Sequence, residues 1–190
     1  PMLERIKRRG HEDPADDEHL LDHVRVAEAI GAAALLVTCS SVSRAVGRVR
    51  DRAAIPLVAI DDSMAAEAVR IGGRVTVVAT AATTLDPSRE LLEATAERAG
   101  VERAGRPISV SLRMVEGALP ALLAGDAALH DHLVVRTLRE AAPESDVIVL
   151  AQATMARVLP ALADAPLPIP VLTSPQLALA AVRAAIAVPI

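Results

Sequence analysis

The stretch Leu35-Leu36-Val37-Thr38-Cys39-Ser40-Ser41 decides the fold. Three apolar residues run together, and four small polar ones follow. A short apolar run bounded by turn residues reads as a buried strand. The same pattern recurs along the chain. The run from Val75 to Ala79 enters a hydroxyl-rich turn at Thr80, Thr83 and Thr84. The run from Val147 to Leu150 leads to Gln152-Ala153-Thr154, and Val171-Leu172 leads to Thr173-Ser174-Pro175. Further strands are expected at 56–60 and 108–115. Helical patterning falls between them, at 18–30, 43–53, 63–70, 88–99, 126–142 and 176–187. Leu20, Val24, Ala27 and Ile30 share one face of the first of these, and Ser63 is placed to cap the third. Alternating strands and helices imply an α/β protein with parallel strands and helices on both faces.

In open α/β sheets, ligands collect outside the carboxyl ends of the strands. The strand-end residues Thr38, Ser40, Ser41, Thr80, Thr83, Thr84, Gln152 and Thr154 are therefore candidate contacts for a small anionic ligand. Backbone N–H groups at Ser40, Ser41, Thr83 and Thr84 are its candidate donors. The competing reading is that these Ser and Thr residues cap the helices that follow. Cys39 is the only cysteine, so an internal disulfide is excluded. A thiol at a strand end just before a helix is placed for chemistry, because free N–H groups there stabilise a thiolate. The competing reading is a small buried hydrophobe.

Composition narrows the field. The chain has 190 residues, enough for one large domain or two small ones. Hydrophobic residues make up 52% and charged residues 23%, which suits a globular protein. There is no Phe, Tyr or Trp, so bases cannot stack on aromatics. A net charge of -4 gives no general attraction to phosphate backbones, so no nucleic-acid partner is expected. Charged residues or proline interrupt each apolar stretch, so no membrane partner is expected. No signal peptide is visible, and one cysteine fits a reducing, cytoplasmic setting. Pro1 precedes Met2, so residues upstream of the sequence are allowed for.

His19 and His23 lie four apart among Asp16, Asp17, Glu18 and Asp22. They read as a solvated face and not as metal ligands. His130 and His132 read as surface residues. Asp61 and Asp62 end a strand, where one of them orients a cleft residue or simply charges a helix start. Met64, Met114 and Met155 read as packing. No metal is expected.

Taken together, several stretches resemble the aspartate/glutamate (and hydantoin) racemase superfamily. They are Thr38-Cys39-Ser40-Ser41, Ile55-Pro56 through Ile60-Asp61-Asp62-Ser63-Met64-Ala65, and Val75 to Thr80 with Thr83-Thr84-Leu85. The others are Glu116-Gly117-Ala118, the run from Leu122 to Asp126, the run from Val147 to Ala156, and Val171 through Pro175. The resemblance implies two similar parallel-sheet α/β domains facing each other across a cleft. By that pattern the first comprises 1–64 with 167–190 and carries Cys39, and the second comprises 65–166 and carries Gln152. It also implies two cysteines, one per domain, working on opposite faces of a substrate α-carbon without a cofactor.

This chain departs from that pattern twice. Gln152 stands where the resemblance places the second cysteine, and a carboxamide is no acid or base near neutral pH. Only 38 residues precede Cys39, so the family's opening strand either lies outside the sequence or is absent from the protein. The expected activity is a cofactor-independent racemase- or isomerase-like reaction at the α-carbon of a small carboxylate or amino acid, with Cys39 as acid/base or nucleophile. The alternatives are a single-thiol decarboxylase or cis-trans isomerase, and a non-catalytic small-carboxylate binding protein. A homo-oligomer is allowed for.

Overall fold

The computed structural model describes residues 2–9, 13–100, 108–163 and 165–187. It is an α/β protein built on two parallel sheets, as the alternation of patterns implies. The first sheet holds β1 (Leu35–Val37) and β2 (Leu57–Ala59), in register from Leu35 opposite Leu57 to Val37 opposite Ala59. Helices α2 (Pro14–Ala29) and α3 (Ser43–Val49) cover it, and Leu20, Leu21, Val24, Val46, Val49 and Leu57 form their shared core. β1 is half-buried along its length and not fully buried as its apolar run predicts. The reason is that β2 is its one strand partner among the described residues.

α2 begins four residues earlier than its apolar periodicity predicts. A capping box sets its start: Ala15 N–H donates to the Asp13 side chain, and Asp13 N–H donates to the Asp16 carboxylate. Asp16 is fully buried, and it also anchors α1 (Met2–Arg9) through Arg5 and Arg9. α1 lies against the 3-10 turn Ser40–Val42 that follows β1. The acidic, helix-like stretch from His11 to Glu18 begins at residues that lie outside the described ones, His11 and Glu12.

The second sheet has the order β4-β3-β5-β6, with β3 at Arg74–Ala79, β4 at Ser109–Met114, β5 at Val147–Leu150 and β6 at Val171–Thr173. β5 is buried along its whole length, which is why it reads as an unbroken apolar run. Its side chains alternate between two cores. Val147 and Val149 meet Met64 and Ala68 of α4 (Asp62–Ile71) and Leu92 of α5 (Leu85–Arg98). Ile148 and Leu150 meet Val134 and Leu138 of α7 (Ala127–Ala141) on the opposite face. Ala118 of α6 (Ala118–Leu123) and Leu162 of α8 (Leu159–Ala163) join that second core. β6 hydrogen-bonds to β5, whereas the helix after it, α9 (Ser174–Ala187), packs on α4 and on both strands of the first sheet. Segment 167–187 therefore touches both sheets.

Two local expectations are corrected, and one helix lies where no helical period reads. Asp61, not Ser63, is the N-cap residue of α4, and it makes no side-chain capping bond. α6 carries Pro120 within six residues, too short and too interrupted to show a helical period. His130 is fully buried, because α7 turns residues 130, 134, 138 and 141 toward the sheet. Its Nδ1 meets the Asp131 carboxylate at 2.7 Å, and Asp131 also accepts from Arg157 at 2.8 Å.

One glycine is required by close approach. A Cβ on Gly72 would fall 2.3 Å from the Cβ of Asp146. That contact lets the Asp146 carboxylate accept from Gly73 N–H at 3.0 Å and Arg74 N–H at 2.9 Å. The Arg74 backbone and guanidinium hold this carboxyl below the usual carboxylate range. No helix among the described residues is long and apolar enough to cross a membrane.

Candidate active site

β3 and β5 are neighbours, yet the chain leaves β3 for β4 on one side and β5 for β6 on the other. The strand order thus reverses between them, and in open α/β sheets ligands collect at such a switch point, outside the carboxyl ends. Two predicted residues meet there. Thr80 N–H donates to Gln152 Oε1 at 2.8 Å, and Gln152 Nε2 donates to Thr80 Oγ1 at 3.0 Å. One threonine therefore holds both ends of the carboxamide. Thr80 is buried and Gln152 is half-buried, with its backbone extended as the residue before the 3-10 helix Ala153–Val158.

Cys39 approaches from the other sheet. It follows β1 in extended conformation (φ -123°, ψ 111°) and precedes the 3-10 turn, whose Val42 N–H donates to Cys39 O at 3.1 Å. Cys39 is half-buried and not part of a sealed core. Ser40 Oγ donates to the carbonyl of Ala151 at 2.9 Å, a buried bond spanning the two sheets. Cys39 and Gln152 each lie one residue from that bond. The turn after β1 also packs on the 3-10 turn Ala82–Thr84 after β3. The turns after β1, β3 and β5 thus converge.

The remaining candidates differ in what they can offer. Thr38 and Thr154 are exposed, Thr83 is half-buried and Ser41 is buried. Thr84 spends its N–H (3.2 Å) and its hydroxyl (2.8 Å) on the carbonyl of Ala81, so its donors serve its own turn. No group of three or more His, Cys, Asp or Glu side chains among the described residues is placed to hold a metal ion. The rings of His19 and His23 pack edge to face, with centroids 5.0 Å apart.

A buried polar cluster lies behind the Cys39 turn. Asp61, at the end of β2, is 2% exposed. Ser43 Oγ donates to its Oδ2 at 3.2 Å, while Oδ1 has no hydrogen-bond partner among the described residues. Burial pushes the Asp61 carboxyl up to about 6, against the pull of the Ser40, Ser43 and Ser174 hydroxyls beside it. Asp61 and Ser88 share the wall of a cavity of about 10 Å³, and the Oγ atoms of Ser88 and Ser174 also lack partners among the described residues. The sequence marks Asp61 and Ser174 only as strand-end polar residues. Nothing local marks Ser43 and Ser88, because a serine at a helix start usually caps it.

The family is settled by comparison. The chain belongs to the Asp/Glu/Hydantoin racemase family, whose model matches residues 2–182. Among solved structures it is similar to glutamate racemase isoform RacE1 from Bacillus anthracis, with a TM-score of 0.66 at 14% identity. That match covers 92% of this chain and 66% of that one. An allantoin racemase from Klebsiella pneumoniae matches with a TM-score of 0.65 at 20% identity, over 87% of this chain and 64% of that one. Unliganded arylmalonate decarboxylase matches with a TM-score of 0.56 at 20% identity, over 93% and 78%. At these identities the likeness is one of fold, and the chain spans less than two thirds of the length of the first two. No curated protein matches the chain.

Proposed function

We propose that the protein is a cofactor-independent racemase- or isomerase-like enzyme that acts at the α-carbon of a small carboxylate or amino acid. Family membership supports the class of reaction. The single observation that carries the reading is the Ser40–Ala151 hydrogen bond, which brings the Cys39 turn against the turn that carries Gln152. Cys39 is the proposed acid/base or nucleophile. Thr38, Ser40, Ser41, Thr80, Thr83, Gln152 and Thr154 are the proposed substrate contacts, whereas the donors of Thr84, also expected there, serve its own turn. The two proposed units, 1–64 with 167–190 and 65–166, would put Cys39 and Gln152 on opposite walls of a cleft.

In this reading the Cys39 thiolate removes the α-proton. N–H groups of the strand-end turns hold the substrate carboxylate, where negative charge builds up. Gln152 cannot return a proton to the opposite face, because a carboxamide does not ionise near neutral pH. Thr80 also engages both of its polar ends. That engagement favours a second reading: one-sided chemistry, in which Cys39 protonates a carbanion left by decarboxylation or adds to a double bond during cis-trans isomerisation.

The test uses the intact chain, small amino acids and dicarboxylic acids in deuterated water, with loss of the α-proton followed by NMR. Exchange that disappears in Cys39→Ala is expected. Tight binding of one of these acids with no exchange, no loss of carbon dioxide and no isomerisation would replace the enzyme with a binding protein.

A further inference from the structure

We propose that Asp61 is a positioning residue that governs the Ser40–Ala151 tie, and through it the seating of the Cys39 turn against Gln152. A carbonyl only accepts, so the Ser40–Ala151 bond uses the single hydroxyl proton of Ser40. Toward the Asp61 carboxyl beside it, Ser40 Oγ is then left as an acceptor. An acceptor there can be matched only by the protonated carboxyl, which carries an O–H. The burial of Asp61 and an Oδ1 without a donor among the described residues favour the neutral acid, because an ionised oxygen there would be desolvated and unpaired.

Ionisation reverses the arrangement. The Asp61 proton leaves to solvent, and the carboxylate becomes a pure acceptor. It then draws hydroxyl protons from Ser40, Ser43 and Ser174, the three serines beside it. Ser40 has one proton, so giving it to Asp61 removes it from Ala151. The tie between the sheets is lost one residue from Cys39 and one from Gln152. Among the charged groups of the described residues, Asp62 is the one whose charge bears on Asp61, and it also favours the neutral form. On the surrounding elements, Arg44 of α3 is paired with Glu90 of α5, and Arg50 with Asp62 itself. The burial-raised carboxyl, at about 6, puts the change within an accessible pH range.

Cys39 is the only thiol, so it reports its own turn. The experiment measures the rate of iodoacetamide labelling from pH 4.5 to 8.5 in wild type, Asp61→Asn and Ser40→Ala. The wild-type profile is expected to show, besides the slope from thiol ionisation, a break near 6 of roughly fivefold, the factor that one hydrogen bond supports. Asp61→Asn, which stays neutral, should lose the break, and so should Ser40→Ala, which has no proton to move. A wild-type profile without the break, or a break that survives in either folded variant, would overturn the proposal. Should Asp61→Asn fail to fold, Ser40→Ala alone decides. The idea draws its functional weight from the site proposed above, but labelling needs no turnover. A failure of the racemase-like reading would show as absent exchange, with the labelling break still present.

Discussion

At the scale of single residues, the proposed chemistry rests on one thiol and one buried carboxyl. Asp61 is raised from 3.8 to about 6, so the folded protein holds its proton more tightly than the unfolded chain does. Between those values the native state binds more protons, and stability falls as pH rises. The neutral form's advantage is complete below 3.8 and is lost as pH passes 6. Two units correspond to about 3 kcal/mol. Asp61→Asn removes that titration. Relative to the variant, wild type should lose up to about 3 kcal/mol in urea-unfolding stability from pH 4 to pH 7. A constant difference across that range would refute the assignment. Cys39→Ser should lose nearly all thiol-dependent exchange, since a hydroxyl is a far weaker acid than a thiol. Exchange at the wild-type rate would remove Cys39 from the proposed chemistry. Cys39 was legible in the sequence because a lone polar thiol stands out after an apolar run. The burial of Asp61 was not, because Asp61-Asp62 also reads as an ordinary charged helix start. Only packing of α3, α4, α5 and α9 around it decides between the two.

At the scale of elements, the strands that run through the core were the most legible. β3 and β5 are buried, and their apolar runs stand at their sequence-derived positions. β4 alternates exposed and half-buried residues, as its alternating sequence predicts. Helix starts were less legible, because side-chain caps set them and apolar period does not, as the Asp13–Asp16 box shows. Leu150 is fully buried in β5. Leu150→Ala should cost about 2–5 kcal/mol in chemical denaturation, the range for a truncated core leucine. A loss under about 1 kcal/mol would mean that the face toward α7 is not packed as described. Gly72→Ala should destabilise by about 1–3 kcal/mol, because its methyl group meets the Asp146 side chain at 2.3 Å. Gly73→Ala, whose Cβ would approach Asp146 no closer than 4.0 Å, should cost less and serves as the control.

At the scale of the whole molecule, the site is a product of convergence. No local pattern could say that Ser40 would reach Ala151, 111 residues away, or that Thr80 would clamp Gln152 across 72. The strand-end turns were legible one by one. Their meeting at the β3–β5 switch point follows from strand order, which sequence periodicity does not carry. Membership of the Asp/Glu/Hydantoin racemase family supplies a reaction class, and in the proposed reading Gln152 stands in place of the ionisable partner that two-sided proton transfer requires. The account is therefore tested most directly by comparing two rates on one substrate in deuterated water: α-proton exchange, and inversion read by chiral chromatography. Exchange that outruns inversion by roughly a hundredfold, the low end of what a positioned acid contributes, is the predicted result. Inversion as fast as exchange, with deuterium in the inverted product, would show that a second acid faces Cys39 and would contradict the account.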